Sequence, residues 1–346
     1  MDIILIDTAG PGNEQPGLLN NLFTPLLNDQ RDMPFIRLSL KITFIIIPAA
    51  VFLFVIPGLH WVWYAAYLLL LIFFLGPYVL MLHNICHRKL FKKKYRYLNH
   101  YIPWALGIFF GQTPETYFYH HVAMHHPENN QPEDLSSTMK YERDSIVAFL
   151  RYLVSFYFTG VLQLVIYFKN KKRTKYSLRV LTGESFFLLL SVFLCFYNLK
   201  AALSVFILPL IFIRFAMMAG NWAQHAFIDA AKPADIYGNS ITCINSIYNK
   251  KCFNDGYHIG HHLRPYLHWT EMPVDFKNNI GTYHKKNAIV FSGLDYFQIW
   301  FLLMIKNYKK LATCYVELGE QRSTGEIVDF LKSRTRKMNL TIPGNL

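Results

Sequence analysis

Ten of the fourteen histidines fall in four tight groups: His83 and His87; His120, His121, His125 and His126; His225; and His258, His261 and His262. On a helix, positions i and i+4 share a face, so HNICH makes His83 and His87 neighbouring imidazoles able to serve one metal. The same spacing joins His121 to His125 in HHVAMHH, with His126 offset toward a second metal. In HIGHH, His258, His261 and His262 cover a narrow arc. NWAQH adds Asn221 and His225 at i, i+4. Nine histidines and one amide therefore face a common site, with His120 left out because His121 already fills the spacing. Nine imidazoles exceed the needs of one ion, so two are expected. Nitrogen-rich ligation with open positions in a lipid setting favours iron. Glu128, Asp134, Asp229 and Asp255 are close enough in sequence to accept the outer ring N–H groups. A single histidine pair is more often structural than ligating, so the weight rests on the conjunction of the clusters. His60, His100, His268 and His284 stand apart and read as surface or interfacial residues.

The elements that must position these groups are apolar blocks in a chain that is 53% hydrophobic over 346 residues. A membrane-crossing helix needs about 20 apolar residues. Candidates run over 39–56 and 61–82, joined at Pro57-Gly58, and over 180–197 and 201–219, joined by a short NLK link. The fold class expected is all-α integral membrane, with about four spanning helices in two hairpins under a cytosolic, histidine-rich helical cap. Segments 102–110, 146–168 and 289–305 are expected to lie along the interface, the first too short to span and the other two interrupted by Arg151 or by Asp295 and Gln298. Trp222 and Trp269 are candidates for lining a substrate channel.

The formal net charge is +13, but Lys and Arg cluster beside the apolar blocks, as in RKLFKKKYR from Arg88 to Arg96 and KNKKRTK from Lys169 to Lys175. Attraction to an anionic cytosolic leaflet explains them, which argues against a nucleic-acid partner and puts the N-terminus and metal site on the cytosolic side. The five cysteines show no CxxC pair and read as reduced thiols. The organisation expected is a flexible cytosolic tail over 1–37, a membrane domain over 38–310, and a charged tail over 311–346 that packs loosely. No basic-then-apolar leader with a cleavage site opens the chain.

The ordered boxes, His83 to His87, His121 to His126 and His258 to His262, resemble those of the membrane fatty acid desaturase superfamily. Asn221 and His225 are similar to its NxxxH element, where the amide helps hold an iron-bound water. The resemblance implies a di-iron centre ligated by His83, His87, His121, His125, His126, His225, His258, His261 and His262, with Asn221 beside them. It further implies O2 as co-substrate, two electrons from a separate ferredoxin or cytochrome b5 type carrier, and a lipid acyl chain as substrate. No HPGG haem-binding sequence is present, so a fused carrier is not expected. The expected reaction is O2-dependent desaturation of an acyl-lipid or acyl-thioester. The alternatives are a di-iron hydroxylase or ketolase of lipid, alkane, carotenoid or sterol substrates and, remotely, a non-catalytic metal transporter, which would place its ligands within the spans.

Overall fold

In the computed structural model, which describes residues 3–7, 17–319 and 321–338, apolar sequence of 23 residues builds helix α1, Met33–Val55. It buries Phe35, Ile42, Ile46, Ala50 and Leu53, a stripe at helical spacing, and leaves Phe44, Val51 and Val55 exposed, as a lipid-facing surface would require. The turn at Gly58, with φ +69°, reverses the chain into α2, Trp61–His87. There Tyr67, Leu71, Phe74 and Tyr78 repeat the stripe, and the first histidine box occupies the last turn. The remaining long helices are α3, Ile146–Asn170, α4, Thr174–Tyr197, and α5, Leu199–Gln224. A π turn at Leu203–Ile207 in α5 immediately precedes Pro209, whose missing N–H interrupts the helical ladder.

Among the described residues, five helices are long and apolar enough to cross a membrane. The fifth, relative to the sequence reading, is α3. Arg151 does not interrupt it, because that side chain is exposed on a continuous helix of 25 residues, about 37 Å long. Two other expectations change. Residues 289–305 are no single interfacial helix: Ile289–Ser292 is a strand (β2) paired in parallel with Ile241–Ile244 (β1), and Asp295 then caps a short helix, Tyr296–Met304. Residues 102–110 form an irregular helix whose Ile102, Leu106 and Phe110 are buried, with Phe110 stacked on Tyr78 at 4.2 Å.

The chain divides into two compact units. Unit 1 comprises residues 1–10, 123–163 and 216–346, and unit 2 comprises 11–122 and 164–215. In unit 1 the β1–β2 pair lies within two apolar cores. One of them takes in Ile327 and Leu331 of the C-terminal helix Thr324–Arg334. The C-terminal segment is therefore packed, not loose, through 334, and Arg334 pairs with Asp229 at 3.2 Å. The N-terminal end is also tied down. Ile3 and Leu5 pack against the second core, and the Asp7 carboxylate accepts hydrogen bonds from Asn245 N, Asn249 Nδ2 and the Tyr257 hydroxyl. These apolar and polar anchors sit within stretches whose composition reads as tail, which is why sequence expected mobility there; residues 8–16 and 339–346 lie outside the described residues.

In unit 2, the loop GQTPET from Gly111 to Thr116 is pressed onto two long helices. A Cβ at Gly111, which has φ +71°, would lie 2.1 Å from the Leu210 nitrogen, and one at Gly183 would lie 1.7 Å from the Pro114 oxygen. Only glycine permits these approaches. Glu184, on α4, accepts hydrogen bonds from Thr113 and Thr116 and pairs with Arg214 of α5 at 3.1 Å. An ion pair inside apolar helices thus fixes the loop that leads into the second histidine box.

Candidate metal centre

The first box closes α2, and in unit 2 it meets His121. The ligand nitrogens of His83, His87 and His121 lie within 4.8 Å of one another, and the His83 and His121 rings are 4.5 Å apart. Tyr117 stacks on His121 at 5.4 Å with 12° between the planes.

Unit 1 holds a second group. His125, His225, His258 and His262 all bring a ligand nitrogen within the same 4.8 Å, and all four are buried. His225 follows α5 directly, while His258 and His262 sit one turn apart on the short helix His258–Leu263. Also in unit 1, His126 Nε2 lies 3.0 Å from His261 Nε2.

The structure therefore divides the second and third boxes differently from a simple shared-face reading. His121 joins the first box, His125 joins His225, and His126 meets His261. The second box is wound as a π turn over His121–His125, so the α-helical rule that puts i and i+4 on one face does not hold there. In the third box, His258 and His262 share a face while His261 turns aside to His126, so the three do not act as one arc.

Outer partners fix the ring orientations in unit 1. His125 Nδ1 lies 2.7 Å from Asp134 Oδ2, and His225 Nδ1 donates to the Asn239 carbonyl at 2.8 Å. Each bond commits Nδ1 as the donor and leaves the Nε2 lone pair for a metal. Burial tends to raise the Asp134 carboxyl, but His125 and Ser136 outweigh it and hold the group well below the usual carboxylate range. Burial, then the neighbouring His125, pushes His225 down to about 3. Burial, then His258 and the other rings, pushes His262 well below its ordinary value. Both stay neutral, the form that ligates. His262 Nε2 is buried without a hydrogen-bond partner, and His258 Nε2 and His225 Nε2 face each other at 3.2 Å. Converging imidazole lone pairs in a dry site are costly unless a cation accepts them, so the donor set fits a transition metal such as iron.

Of the other acidic candidates, Asp229 is taken by Arg334 and Asp255 accepts the Tyr248 hydroxyl. Asn221 donates through Nδ2 to the Ser136 carbonyl and the Tyr152 hydroxyl, which leaves its Oδ1 as an acceptor. Trp222 is fully buried among Tyr141, Phe149 and Tyr152, with its N–H on the Arg143 carbonyl. Trp269 packs edge-on against Phe253 at 5.5 Å. His60, His100 and His284 are exposed, but His268 is buried, with Nδ1 accepting from the Thr270 backbone.

Sequence reasoning missed Arg143. Its buried guanidinium donates to the carbonyls of Ala226, Met139, Tyr141, Arg334 and Arg336. It thereby stitches the residue after His225 to the C-terminal helix. A lone arginine in a polar loop carries no signal of this, since its acceptors are main-chain atoms up to 193 residues away. Asn239 escaped notice for the same reason.

Helices of this length, carrying three ordered histidine boxes that converge as clusters, define a membrane metalloenzyme fold. The family model for fatty acid desaturase matches residues 59–292, and the chain belongs to that family. Membership points to a di-iron oxidoreductase of the desaturase and hydroxylase type. No curated protein and no solved structure matched the chain.

Proposed function

We propose that this protein is an O2-dependent desaturase of acyl chains, borne by a membrane lipid or a thioester, with its metal site on the cytosolic side. The observation that carries the reading is the buried cluster of His125, His225, His258 and His262, in which burial keeps His225 and His262 neutral while Asp134 and Asn239 orient His125 and His225 from behind. These four would hold one iron. The triad His83, His87 and His121 would serve a second, and His126 and His261 supply the remaining imidazoles of the set.

Iron, when bound, would supply the redox chemistry that activates O2, with two electrons drawn from a separate ferredoxin or cytochrome b5 type carrier; the chain's own residues bind and orient it. Asp134 keeps the His125 ring in one tautomer by accepting its Nδ1 proton. Asn239 does the same for His225 through its carbonyl. Burial of the cluster excludes water, which protects an oxidising centre from discharge into solvent. With its Nδ2 held by the Ser136 carbonyl and the Tyr152 hydroxyl, Asn221 would offer Oδ1 as an acceptor toward the site.

The test is the fatty acid profile, by gas chromatography with mass spectrometry, of a host expressing the wild type or the double variant His261→Ala, His262→Ala. A new unsaturated acid made only by the wild type is expected. Hydroxylated lipids without new double bonds would move the assignment to a hydroxylase of the same family.

A further inference from the structure

A cavity of about 640 Å³ lies wholly within unit 2, along the helix that bears the first histidine box. Resting on the reading of the chain as an acyl desaturase, we propose that this cavity seats the phosphate-bearing head of the amphiphile that carries the acyl chain. Leu82, Ile85 and Cys86 line it, a run at i, i+3 and i+4 that forms one stripe of α2, and Lys89 lines it just beyond the helix end. His83 and His87 occupy the adjacent stripe. Tyr117 forms part of the cavity wall and also stacks on His121, so the wall and the histidine triad share a residue.

The polar end of the cavity is cationic. Lys89, Lys93, Arg96 and Arg179 line it against a single carboxylate, Glu115, which already accepts the Trp104 N–H at 2.9 Å. Basic residues beside a membrane helix are commonly topology signals with solvated or locally neutralised charges. Other members of the same run behave that way: Arg88 pairs with Asp29 at 2.9 Å, and Lys92 rests on the Pro25 carbonyl. The four cavity cations are exposed yet make no neutralising ion pair with another described residue, and Lys89 lies over the Phe118 ring and Arg96 over Tyr97. Unpaired cations around a concave, aromatic-walled space focus potential on a compact anion. An acidic protein surface would need a broad, flatter face, typically 1,200 Å² or more in total, and a cavity suits a small head group better. The apolar stripe of Leu82, Ile85 and Cys86 then gives the attached chain a path beside the first box.

The experiment is calorimetric binding to the full chain in neutral detergent, with three probes: dioctanoyl phosphatidic acid, octanoyl-coenzyme A and dioctanoylglycerol. The variant carries Lys89→Gln, Lys93→Gln and Arg96→Gln together, and a control carries Lys172→Gln and Lys175→Gln from the other basic run. Phosphate probes should bind the triple variant at least tenfold more weakly than the wild type, about 1.4 kcal/mol, with the control unchanged and the neutral probe bound poorly by all. Preference for phosphatidic acid or for the coenzyme A ester tells membrane lipid from soluble thioester. Equal weakening in the control, or tight binding of the neutral probe, overturns the proposal. So does wild-type binding by a triple variant that has lost only electron transfer from an acidic carrier. Because binding is read without turnover, failure of the desaturase reading would appear separately, in the product profile.

Discussion

His125, His225, His258 and His262 are each 7% exposed or less, whereas His87 and His121 of the triad are only half-buried and His83 alone is fully covered. Two of the four, His125 and His225, are held from behind by a carboxylate and a main-chain carbonyl; the triad has a stacked tyrosine and a cavity alongside its helix. The difference teaches that similar ligand chemistry is prepared in two ways. Rings in a dry cluster must be orientated before any metal arrives, because an unpartnered lone pair there is costly. A more open triad is the better placed to stand beside substrate.

The largest effect that would break this comparison comes from the buried cluster. Replacing His225 or His262 by Ala should abolish turnover and lower iron per chain, measured by plasma mass spectrometry, with membrane insertion intact. Full iron content in both variants would remove the cluster from the metal site. Next in size, Glu184→Gln leaves Arg214 unpaired within the helices and loosens the Thr113 and Thr116 contacts. Thermal unfolding in detergent should show a loss on the order of 3 kcal/mol; an unchanged midpoint would show that the pair does not brace the loop. Asp134→Asn keeps the shape but removes the charge behind His125, and should weaken iron affinity by about 10–100-fold. A matching loss after changing Tyr117 to Phe, which preserves stacking on His121, would erase the distinction between the two regions.

Smaller still is a pH effect on metal-free protein. Burial and His125 hold His225 near 3 in the folded chain, against 6.5 ordinarily. Between those values the unfolded chain binds a proton that the folded chain refuses, so stability falls as pH drops through that window. The melting midpoint should decline from pH 7 toward pH 5, less steeply in His225→Gln; parallel profiles would contradict this. His60→Ala should be close to neutral in activity, since His60 is an exposed helix cap.

Much of this was legible along the chain. The apolar blocks marked candidate spans because a helix satisfies its own backbone in lipid, and the histidine boxes marked residues able to bind metal because their spacing is local. Three things were not. Segment 146–168 reads as interfacial because both ends of its region are expected on the cytosolic side and Arg151 breaks its apolar run, yet that arginine faces outward from an intact helix long and apolar enough to cross a membrane. The strand at 289–292 was hidden because its partner lies 48 residues earlier at Ile241. The tails looked loose because their anchors, Asp7 on Tyr257 and Arg334 on Asp229, join residues far apart in sequence.

The sequence by itself determined which residues could bind metal and that the chain is built for a membrane, since both follow from residue type and short-range period. Tertiary structure alone decided how the histidines are shared out, through a π turn that parts His121 from His125 and a helix that turns His261 toward His126. It also decided which groups orient them, Asp134 and the Asn239 carbonyl, and that four cations close around one cavity. Those outcomes depend on the winding of individual turns and on contacts between distant segments, and neither is written in local spacing.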